Sequence, residues 1–299
     1  MLNKYIFHVP KDDHLVGLLH NRKNLFALLM EAKYLKRIAI VPPIHLRGSH
    51  NHGISIKTTW DKYLVLDNFQ SFHPFIRLSD FGHIDFEACN VIDENIEPRE
   101  VLNESNPLLI RKHNQYPNYY RLIRYFTHKN WDVQLMNLVQ STHEITKYAA
   151  IAKIRMKKYH CIHVRRGDKL TWKQCPGLDK KTQPKYLIKY LRKIIPKGEN
   201  LYIMSNETKQ HFFNSLKKSF NIFTFEDFPE FISLSRQDNY FLFSVENEIM
   251  NDAQTKIRTF KEKGYLSLLN YPPDGKEIFS SKLRRNWRYL LSRLNFIII

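Results

Sequence analysis

The fold of this chain is decided by residues 159–168, which read YHCIHVRRGD. The first six, 159–164, form a short, apolar-leaning run of the kind that makes a buried strand. Two adjacent arginines, Arg165 and Arg166, follow it directly, with Asp168 close behind. A buried strand end tolerates such charge only if an anion or a carboxylate meets it. We therefore expect an anionic ligand where this strand ends.

The side chains of this stretch should divide between two faces. By the two-residue period of a strand, His163 and Arg165 share one side and Arg166 takes the other. A guanidinium fork matches phosphate oxygens and stays charged. We expect the ligand to meet His163 and Arg165, and Arg166 to pair with Asp168 or another carboxylate. The alternative is a surface ion pair in a turn, which would stabilise little.

The segments after this strand alternate between helical and strand-like patterns. The predicted helices span 184–195, 208–220 (with Thr208 as its cap) and 239–253, and the predicted strands span 199–207, 221–225 and 256–260. Such an order indicates a doubly wound parallel sheet, whose ligands bind at the carboxyl ends of the strands. The polar clusters RRGD, SNE and TFKEK all fall at predicted strand ends.

The first half of the chain begins with a strand–helix–strand unit. Residues 4–9 have a strand pattern, and 21–36 have helical spacing of apolar residues, with His20 or Asn21 as the cap. The run RIAIVPP at 37–43 is typical of a buried parallel strand. This unit indicates a second α/β sheet.

A chain of 299 residues suits two domains of about 150 residues each. A helical pattern at 131–158 would link them. We therefore predict an α/β architecture of two Rossmann-like domains facing a cleft, with the domains at 1–150 and 151–299.

The formal net charge of +18 favours anionic partners. Nucleic acid, anionic membranes and phosphorylated small molecules all qualify, and a solvated lysine-rich surface is the alternative. The sequence shows neither a signal peptide nor an apolar stretch of about 18 residues, so we expect no membrane span. The compartment stays open: cytoplasmic by default, or a secretory lumen if a signal was removed.

Several common sites are not supported by the sequence. There is no GxGxxG after the first strand and no GxxxxGK[ST], which argues against a dinucleotide redox enzyme and a P-loop nucleotidase. Cys89, Cys161 and Cys175 form no CxxC pair, and the spacing of His45, His50 and His52 fits no helix face. We therefore predict no zinc site and no disulfide framework.

The motif HVRRGD resembles the H-x-R-R-x-D motif of the GDP-fucose-dependent fucosyltransferases. Three further segments are similar to this family, in order: GLLHNR at 17–22 to its G-x-x-N-x-R loop, TTWDKYLVLDNF at 58–69 to its W-x-x-[YF] segment, and ENLYIMSNE at 199–207 to its Y-I-A-T-[DN]-E strand. RIAIVPP is similar to its Pro-Pro strand. The protein O-fucosyltransferase branch fits best.

The resemblance implies a GT-B-type glycosyltransferase that moves fucose from GDP-fucose to a protein or glycan hydroxyl. It implies that Arg165 contacts the β-phosphate and stabilises the leaving GDP, with His163 and Asp168 shaping the pocket, and that Asn21 acts in catalysis. The other implied substrate-binding positions are Arg166, Gly17, His20, Arg22, Asn206, Glu207, Thr259, Phe260 and Lys261. Asn21 and Arg22 would face the cleft, near the fucose.

The last motif of the family is altered in this sequence. Its glycine is replaced by Arg258 and its serine pair is missing, although Thr259 and Phe260 keep their places. Lys261 is a candidate for supplying the lost phosphate contacts as a cation.

We expect an inverting, metal-independent reaction with no cofactor, because a fixed arginine can stabilise charge that develops on the β-phosphate. No D-x-D is placed to hold a metal. Inversion needs a base for the hydroxyl proton, and Val16 stands where some relatives have an acid. Asp12, Asp13 and His20 are alternatives, as is Asn21 with substrate-assisted transfer.

Two other functions compete with this one. A catalytically inactive protein that binds a GDP-sugar would explain the altered last motif and the missing acid. A nucleic-acid-binding protein would use the positive charge and the basic, aromatic segment at 280–294, although the apolar spacing of that segment favours a packed helix. We expect no nucleic-acid partner.

Overall fold

The computed structural model describes residues 3–9, 16–81, 89–113, 119–171, 177–207, 209, 211–259 and 296–298. The chain forms two compact units. The first contains Met1–Thr142 and Asp238–Phe241, and the second contains His143–Gln237 and Leu242–Ile299. The chain therefore leaves the first unit slightly before the boundary expected at residue 150, and it returns there briefly at Asp238–Phe241.

The first unit is built on a five-stranded parallel sheet. The described strands of this unit, inside and outside that sheet, are β1 (Tyr5–Val9), β2 (Ile38–Val41), β3 (Ile44–Leu46), β4 (Ile56–Thr58), β5 (Phe75–Arg77), β6 (Asn90–Ile92) and β7 (Leu108–Lys112). The spatial order is β5-β2-β1-β7-β6, and β3 and β4 form a separate antiparallel pair. The chain runs outward from β1 on one side and returns on the other, so the sheet has a topological switch point between β1 and β7.

The described helices of the first unit are α1 (Leu18–Leu35), α2 (Leu78–Phe81), α3 (Tyr119–Phe126) and α4 (Trp131–Asn137). The predicted cap of α1 at His20 or Asn21 is wrong. The backbone amides of both residues already bond to the Gly17 carbonyl, so the helix begins earlier, with Gly17 as its cap.

The prediction of a single helix at 131–158 is also wrong, because this segment forms two helices, α4 and α5 (His143–Met156). Ser141 forms an antiparallel bridge with Leu64, and the Gln140 carbonyl accepts the Val65 amide. This pairing replaces the helical hydrogen bonds between the two pieces.

The second unit holds the other five-stranded parallel sheet. After α5 its elements are β8 (His160–Val164), α6 (Leu178–Thr182), α7 (Pro184–Leu191), β9 (Asn200–Ser205), β10 (Asn221–Phe223), α8 (Pro229–Gln237), α9 (Asn239–Asp252), β11 (Lys256–Arg258) and β12 (Phe296–Ile298). The spatial order is β10-β9-β8-β11-β12, with all neighbours parallel. Its switch point lies between β8 and β11. The predicted α/β class with parallel sheets is confirmed.

Two details of the second unit differ from the prediction. The helix expected at 208–220 is present only as a 3₁₀ turn at Asn214–Lys218, because His211 has a φ of 63°, which no regular helix accepts. Its proposed cap, Thr208, lies outside the described residues. Helix α8 was not predicted, although Pro229 occupies the first helical position that proline favours.

The alternation of β8 separates two layers. Ile162 and Val164 are fully buried and pack with Leu187 and Leu191 of α7. Cys161 and His163 therefore face the other layer, opposite Tyr202 and Met204 of β9 in the sheet register. This places Arg165 and Arg166 on opposite faces as the strand ends.

One carboxyl group is buried on the same side as Cys161. Glu246 of α9 is 6% exposed, and its Oε1 accepts a hydrogen bond of 3.0 Å from the Tyr202 hydroxyl. Burial raises the pKa of Glu246 to about 8. The carboxyl is therefore largely protonated at neutral pH, since burial penalises the charged form.

Replacing Glu246 with Gln should remove the ionisable carboxyl group and keep the hydrogen bond from Tyr202. A pKa raised from 4.5 to about 8 gives stability that is complete below pH 4.5 and is lost as the pH rises through 8. Over that window the wild-type protein should lose on the order of a few kcal/mol of unfolding free energy relative to Glu246→Gln. Thermal unfolding of both proteins measures this, and parallel pH curves would contradict it.

Candidate functional site

The carboxyl ends of β8 and β11 are joined by one threonine. Thr259, 1% exposed, donates from its amide and from its hydroxyl to the His163 carbonyl, at 3.2 and 3.1 Å. The same hydroxyl oxygen accepts the Arg165 amide at 3.1 Å. The single hydroxyl proton is used within the protein, so Thr259 fixes the backbone of Arg165 in this arrangement.

The neighbouring residue is fixed from the β9 side. Asn206 Oδ1 accepts the Arg166 amide at 2.7 Å, and Asn206 Nδ2 donates to the Arg166 carbonyl at 3.2 Å. A side chain thus continues the β8–β9 ladder beyond the last strand residue. Gly167, which follows, has a φ of 56° and lies against this amide. Together with Thr259, these contacts hold the Arg165–Arg166 segment on both sides.

The Arg166 guanidinium is buried and occupied by protein groups. It is 4% exposed and donates to Glu207 at 2.5 Å, to the Asp179 carboxylate at 2.8 Å and to the Thr182 hydroxyl at 2.5 Å. Its Cζ lies 4.5 Å from the centre of the Phe212 ring. The carboxylates that pair with Arg166 are thus Glu207 and Asp179. Three residues that were predicted to bind the substrate, Arg166, Asn206 and Glu207, contact one another in this network.

The opposite face carries positive charge beside a neutral histidine. Arg258 lies opposite His163 in the β8–β11 register, and Arg165 is two residues further along β8. Burial, followed by the charges of Arg258 and Arg165, lowers the pKa of His163 to about 3. The ring is therefore uncharged at neutral pH, with two guanidinium groups close enough to act on it. Such a face suits an anion.

The contribution of Arg258 was missed by the sequence reasoning, which treated the residue as the loss of a glycine. Its position opposite His163 follows from the strand register, for which no sequence signal exists. Asp179 and Thr182 were missed too, because nothing in their segment marks a strand end. Phe260, Lys261, Asp12 and Asp13 lie outside the described residues, and Asp168 lies in a 3₁₀ turn at Gly167–Thr171.

The first unit brings together four other predicted positions at the start of α1: Gly17, His20, Asn21 and Arg22. Asn21 Nδ2 donates to the carbonyls of Val16 and His45, at 3.2 and 3.1 Å, which ties the helix start to β3. Within the described residues its Oδ1 makes no hydrogen bond. His20 Nδ1 lies 3.3 Å from the Tyr119 hydroxyl.

A buried network lies at the switch point of the first sheet. Arg111 of β7 and Glu31 of α1 are both 0% exposed, and Arg111 Nε donates to both oxygens of Glu31, at 3.0 and 2.8 Å. His8 Nε2 of β1 lies 2.7 Å from Glu31 Oε2, and His113 Nε2 lies 3.2 Å from His8 Nδ1. The sequence contains one indication of this network: Glu31 is a charged residue among the apolar residues of α1. The sequence analysis did not identify it.

The charge state of Glu31 follows from its partners. Burial works to raise the pKa of Glu31, but the hydrogen bond with His8 and the charge of Arg111 outweigh it and bring the pKa to about 2. Glu31 is therefore a carboxylate at neutral pH, paired with Arg111.

The described ranges contain neither a metal-binding cluster nor a membrane-spanning helix. No group of three or more His, Cys, Asp and Glu side chains there is arranged to hold a metal ion. No described helix has the length and apolar character needed to cross a bilayer.

Solved structures share this fold. A crystal structure of POFUT1 in complex with GDP-fucose superposes with a TM-score of 0.52 at 11% identity, covering 86% of this chain and 90% of that chain. POFUT1 in complex with GDP gives 0.53 at 10% identity, covering 86% and 91%. NodZ alpha-1,6-fucosyltransferase soaked with GDP-fucose gives 0.50 at 11% identity, covering 86% and 88%.

Neither protein-family profiles nor curated protein sequences match this chain. At such low identity the structural likeness shows the fold alone, which is that of GT-B-type fucosyltransferase structures.

Replacing Gly167 with Ala should disturb the Asn206 clamp. The new Cβ would lie 2.5 Å from Asn206 Nδ2, whereas a Cβ at Gly198, which has a φ of 87°, would meet nothing within 4 Å. Both changes carry a left-handed backbone cost of about 1–2 kcal/mol. Urea unfolding should show a further loss of about 1–2 kcal/mol for Gly167→Ala alone. Equal losses would contradict the clamp.

Replacing Arg111 with Leu should leave the Glu31 carboxylate buried without its counter-charge, at a cost of about 3–5 kcal/mol of unfolding free energy. The control is Arg77→Leu, which breaks pairs with the exposed Asp61 and Asp67 and should cost about 1 kcal/mol or less. Urea denaturation of both variants gives the comparison. A loss for Arg111→Leu no larger than that of the control would show that the buried pair is unimportant for stability.

Proposed function

We propose that this protein transfers fucose from GDP-fucose to a hydroxyl of a protein or glycan. The observation that carries the proposal is the placement of Arg165 at the switch point of the second sheet, with its backbone held by Thr259 and its side chain on the face shared with Arg258. POFUT1 in complex with GDP-fucose and NodZ soaked with GDP-fucose have the same fold.

The chemistry needs a cation at the carboxyl end of β8. Breaking the bond between fucose and the β-phosphate increases the negative charge on GDP and leaves positive charge on the sugar. A guanidinium fixed beside that phosphate stabilises the transition state more than the bound donor. We assign this role to Arg165, because the planar fork suits two phosphate oxygens and the group stays charged.

The remaining residues of the edge would keep Arg165 in position. Arg166 is occupied by Glu207 and Asp179, so it anchors the segment on the opposite face. Thr259 sets the backbone direction. His163 stays neutral, which leaves the positive charge on Arg165 and Arg258. In this proposal the two guanidinium groups supply the charge for which other nucleotide-sugar enzymes use a divalent metal ion.

We propose a single displacement with inversion. The hydroxyl of the acceptor substrate attacks the fucose carbon from the side opposite GDP, and the electron pair of the broken bond leaves with the β-phosphate. The hydroxyl proton must pass to a base as the new bond forms. The first unit is proposed as the side that binds the acceptor substrate, as expected for residues 1–150.

GDP should raise the melting temperature of the wild-type protein, because a ligand that binds only the folded state stabilises it. Arg165→Ala should weaken GDP binding about 10- to 100-fold, the loss expected for a charge-assisted contact. Arg236→Ala removes an equal charge from an exposed position on α8 of the same unit and should leave binding unchanged. Thermal shift with titrated GDP makes the comparison.

Three outcomes separate the alternatives. No shift of the wild-type protein with GDP or GDP-fucose would contradict the proposal. A shift without any turnover of GDP-fucose would indicate an inactive GDP-sugar-binding protein. Indifference to GDP together with steep, salt-dependent affinity for oligonucleotides would indicate a nucleic-acid-binding protein.

A further inference from the structure

The helical layer of the second unit contains an open groove. Its lining consists of three lysines and two tyrosines from α6, α7 and the turn after α7: Lys181, Lys189, Lys193, Tyr186 and Tyr190. We call this feature the α7 groove. Its volume is about 200 Å³. A cavity of about 150 Å³ is enough to hold benzene, so the α7 groove has room for one six-membered ring.

The α7 groove is separate from the strand ends that carry Arg165. Helix α7 packs against Ile162 and Val164, so it covers their face of the sheet. His163 and Arg165 take the opposite face by alternation along β8. The α7 groove is therefore a second site, on the other side of the sheet from the one proposed for GDP-fucose.

Positive charge is concentrated around this groove. From residue 180 to residue 198 the chain has seven Lys and Arg and no Asp or Glu. Asp179, just before this segment, gives its carboxylate to Arg166 at 2.8 Å. Lys185 and Lys189 are four residues apart on α7, a spacing at which like charges repel each other. The lysines that line the groove are all exposed. A bound anion would relieve this repulsion.

The two tyrosines give the groove a fixed aromatic wall. Tyr190 packs against the buried cluster beneath α7. The ammonium groups of Lys180 and Lys185 each lie 5.5 Å from the centre of the Tyr186 ring, within the range of a cation–π contact. Because both tyrosines line the same groove, the protein offers a site for one ring between them and the lysines.

The donors around the groove define the chemistry of its ligand. A lysine ammonium group has three N–H donors and no acceptor, and a tyrosine hydroxyl also donates. A matching ligand is a ring that carries negatively charged oxygen atoms at its edge. A pyranose with carboxylate or sulfate groups meets this need, since its C–H groups pack on the negative face of an aromatic ring and its acid groups pair with ammonium groups.

Other anionic partners fit this groove less well. Single-stranded nucleic acid is bound on a series of aromatic platforms that follow the strand, whereas both tyrosines here line one ring-sized groove. A bilayer surface is bound by apolar side chains that insert into it, whereas Tyr186 and Tyr190 are half-buried. Residues 260–295 of this chain carry eight Lys and Arg against three Asp and Glu, so their charge has the wrong sign.

We propose that the α7 groove binds an acidic glycan. One sugar ring packs on Tyr186 and Tyr190, and its carboxylate or sulfate groups pair with Lys181, Lys189 and Lys193. This inference goes beyond the proposed function and does not depend on it, because the groove and the site proposed for GDP-fucose lie on opposite faces of the sheet.

The test measures the affinity of the full chain for a fluorescent heparin oligosaccharide at about 0.15 M salt, where distant charges are screened. Replacing Lys189 and Lys193 together with Ala should weaken binding about 10-fold or more, the loss of two charge-assisted contacts. Replacing Lys217 and Lys218 with Ala removes the same charge from exposed positions of the same unit and should change affinity about two-fold or less. Equal losses in the two variants would overturn the proposal.

A second variant separates ring packing from general attraction to positive charge. Tyr186→Leu keeps the charge and an apolar side chain but removes the flat ring, and it should weaken heparin binding about 3- to 10-fold. Tyr148→Leu, at a half-buried position of α5, is the matched control and should bind as the wild-type protein does. Wild-type affinity in Tyr186→Leu would overturn the aromatic part of the site, and the melting temperature of each variant reports on its folding.

Two further probes decide which anion the groove serves. A single-stranded oligonucleotide and a phosphatidylserine vesicle are titrated under the same conditions. Tighter binding of either probe than of heparin, lost when Lys189 and Lys193 are replaced, would overturn the assignment to a glycan. GDP should leave the affinity for heparin unchanged. A protein that binds heparin in this way but not GDP would refute the proposed function and support the α7 groove.

Discussion

The hydrogen bonds that Thr259 and Asn206 make to the end of β8 determine the directions of both arginines. Each bond fixes a backbone amide, Arg165 from the β11 side and Arg166 from the β9 side. Alternation then sends one guanidinium toward Glu207 and Asp179 and the other to the face of Arg258. These two contacts fix the backbone of both arginines, and the role proposed for Arg165 depends on that fixed position.

The two sheets use the same topological position for different chemistry. At the switch point of the second sheet the residues supply positive charge around a neutral His163. At that of the first sheet, charge is neutralised between Glu31 and Arg111, and the feature left over is an uncharged acceptor atom on His113. In the proposed transfer, the cations of the second unit would stabilise the leaving phosphate.

The sequence was informative where a signal was local. The apolar run before Arg165 and the two-residue period predicted the strand and the division of the two arginines, and the element order predicted the α/β class. The buried network could not be predicted from local sequence patterns. Glu31 and Arg111 are 80 residues apart in the sequence, and His8 and His113 are 105 residues apart. The prediction of a helix at 208–220 was wrong, because the spacing of apolar residues does not indicate the left-handed backbone at His211.

The most direct test of the central claim is a crystal structure of the protein grown with GDP. We predict a β-phosphate at the carboxyl ends of β8 and β11, with its oxygens within hydrogen-bond distance of the Arg165 guanidinium and with Arg166 still bound to Glu207. GDP bound elsewhere, with Arg165 contacting only solvent or protein carboxylates, would contradict the claim that the carboxyl end of β8 binds a diphosphate.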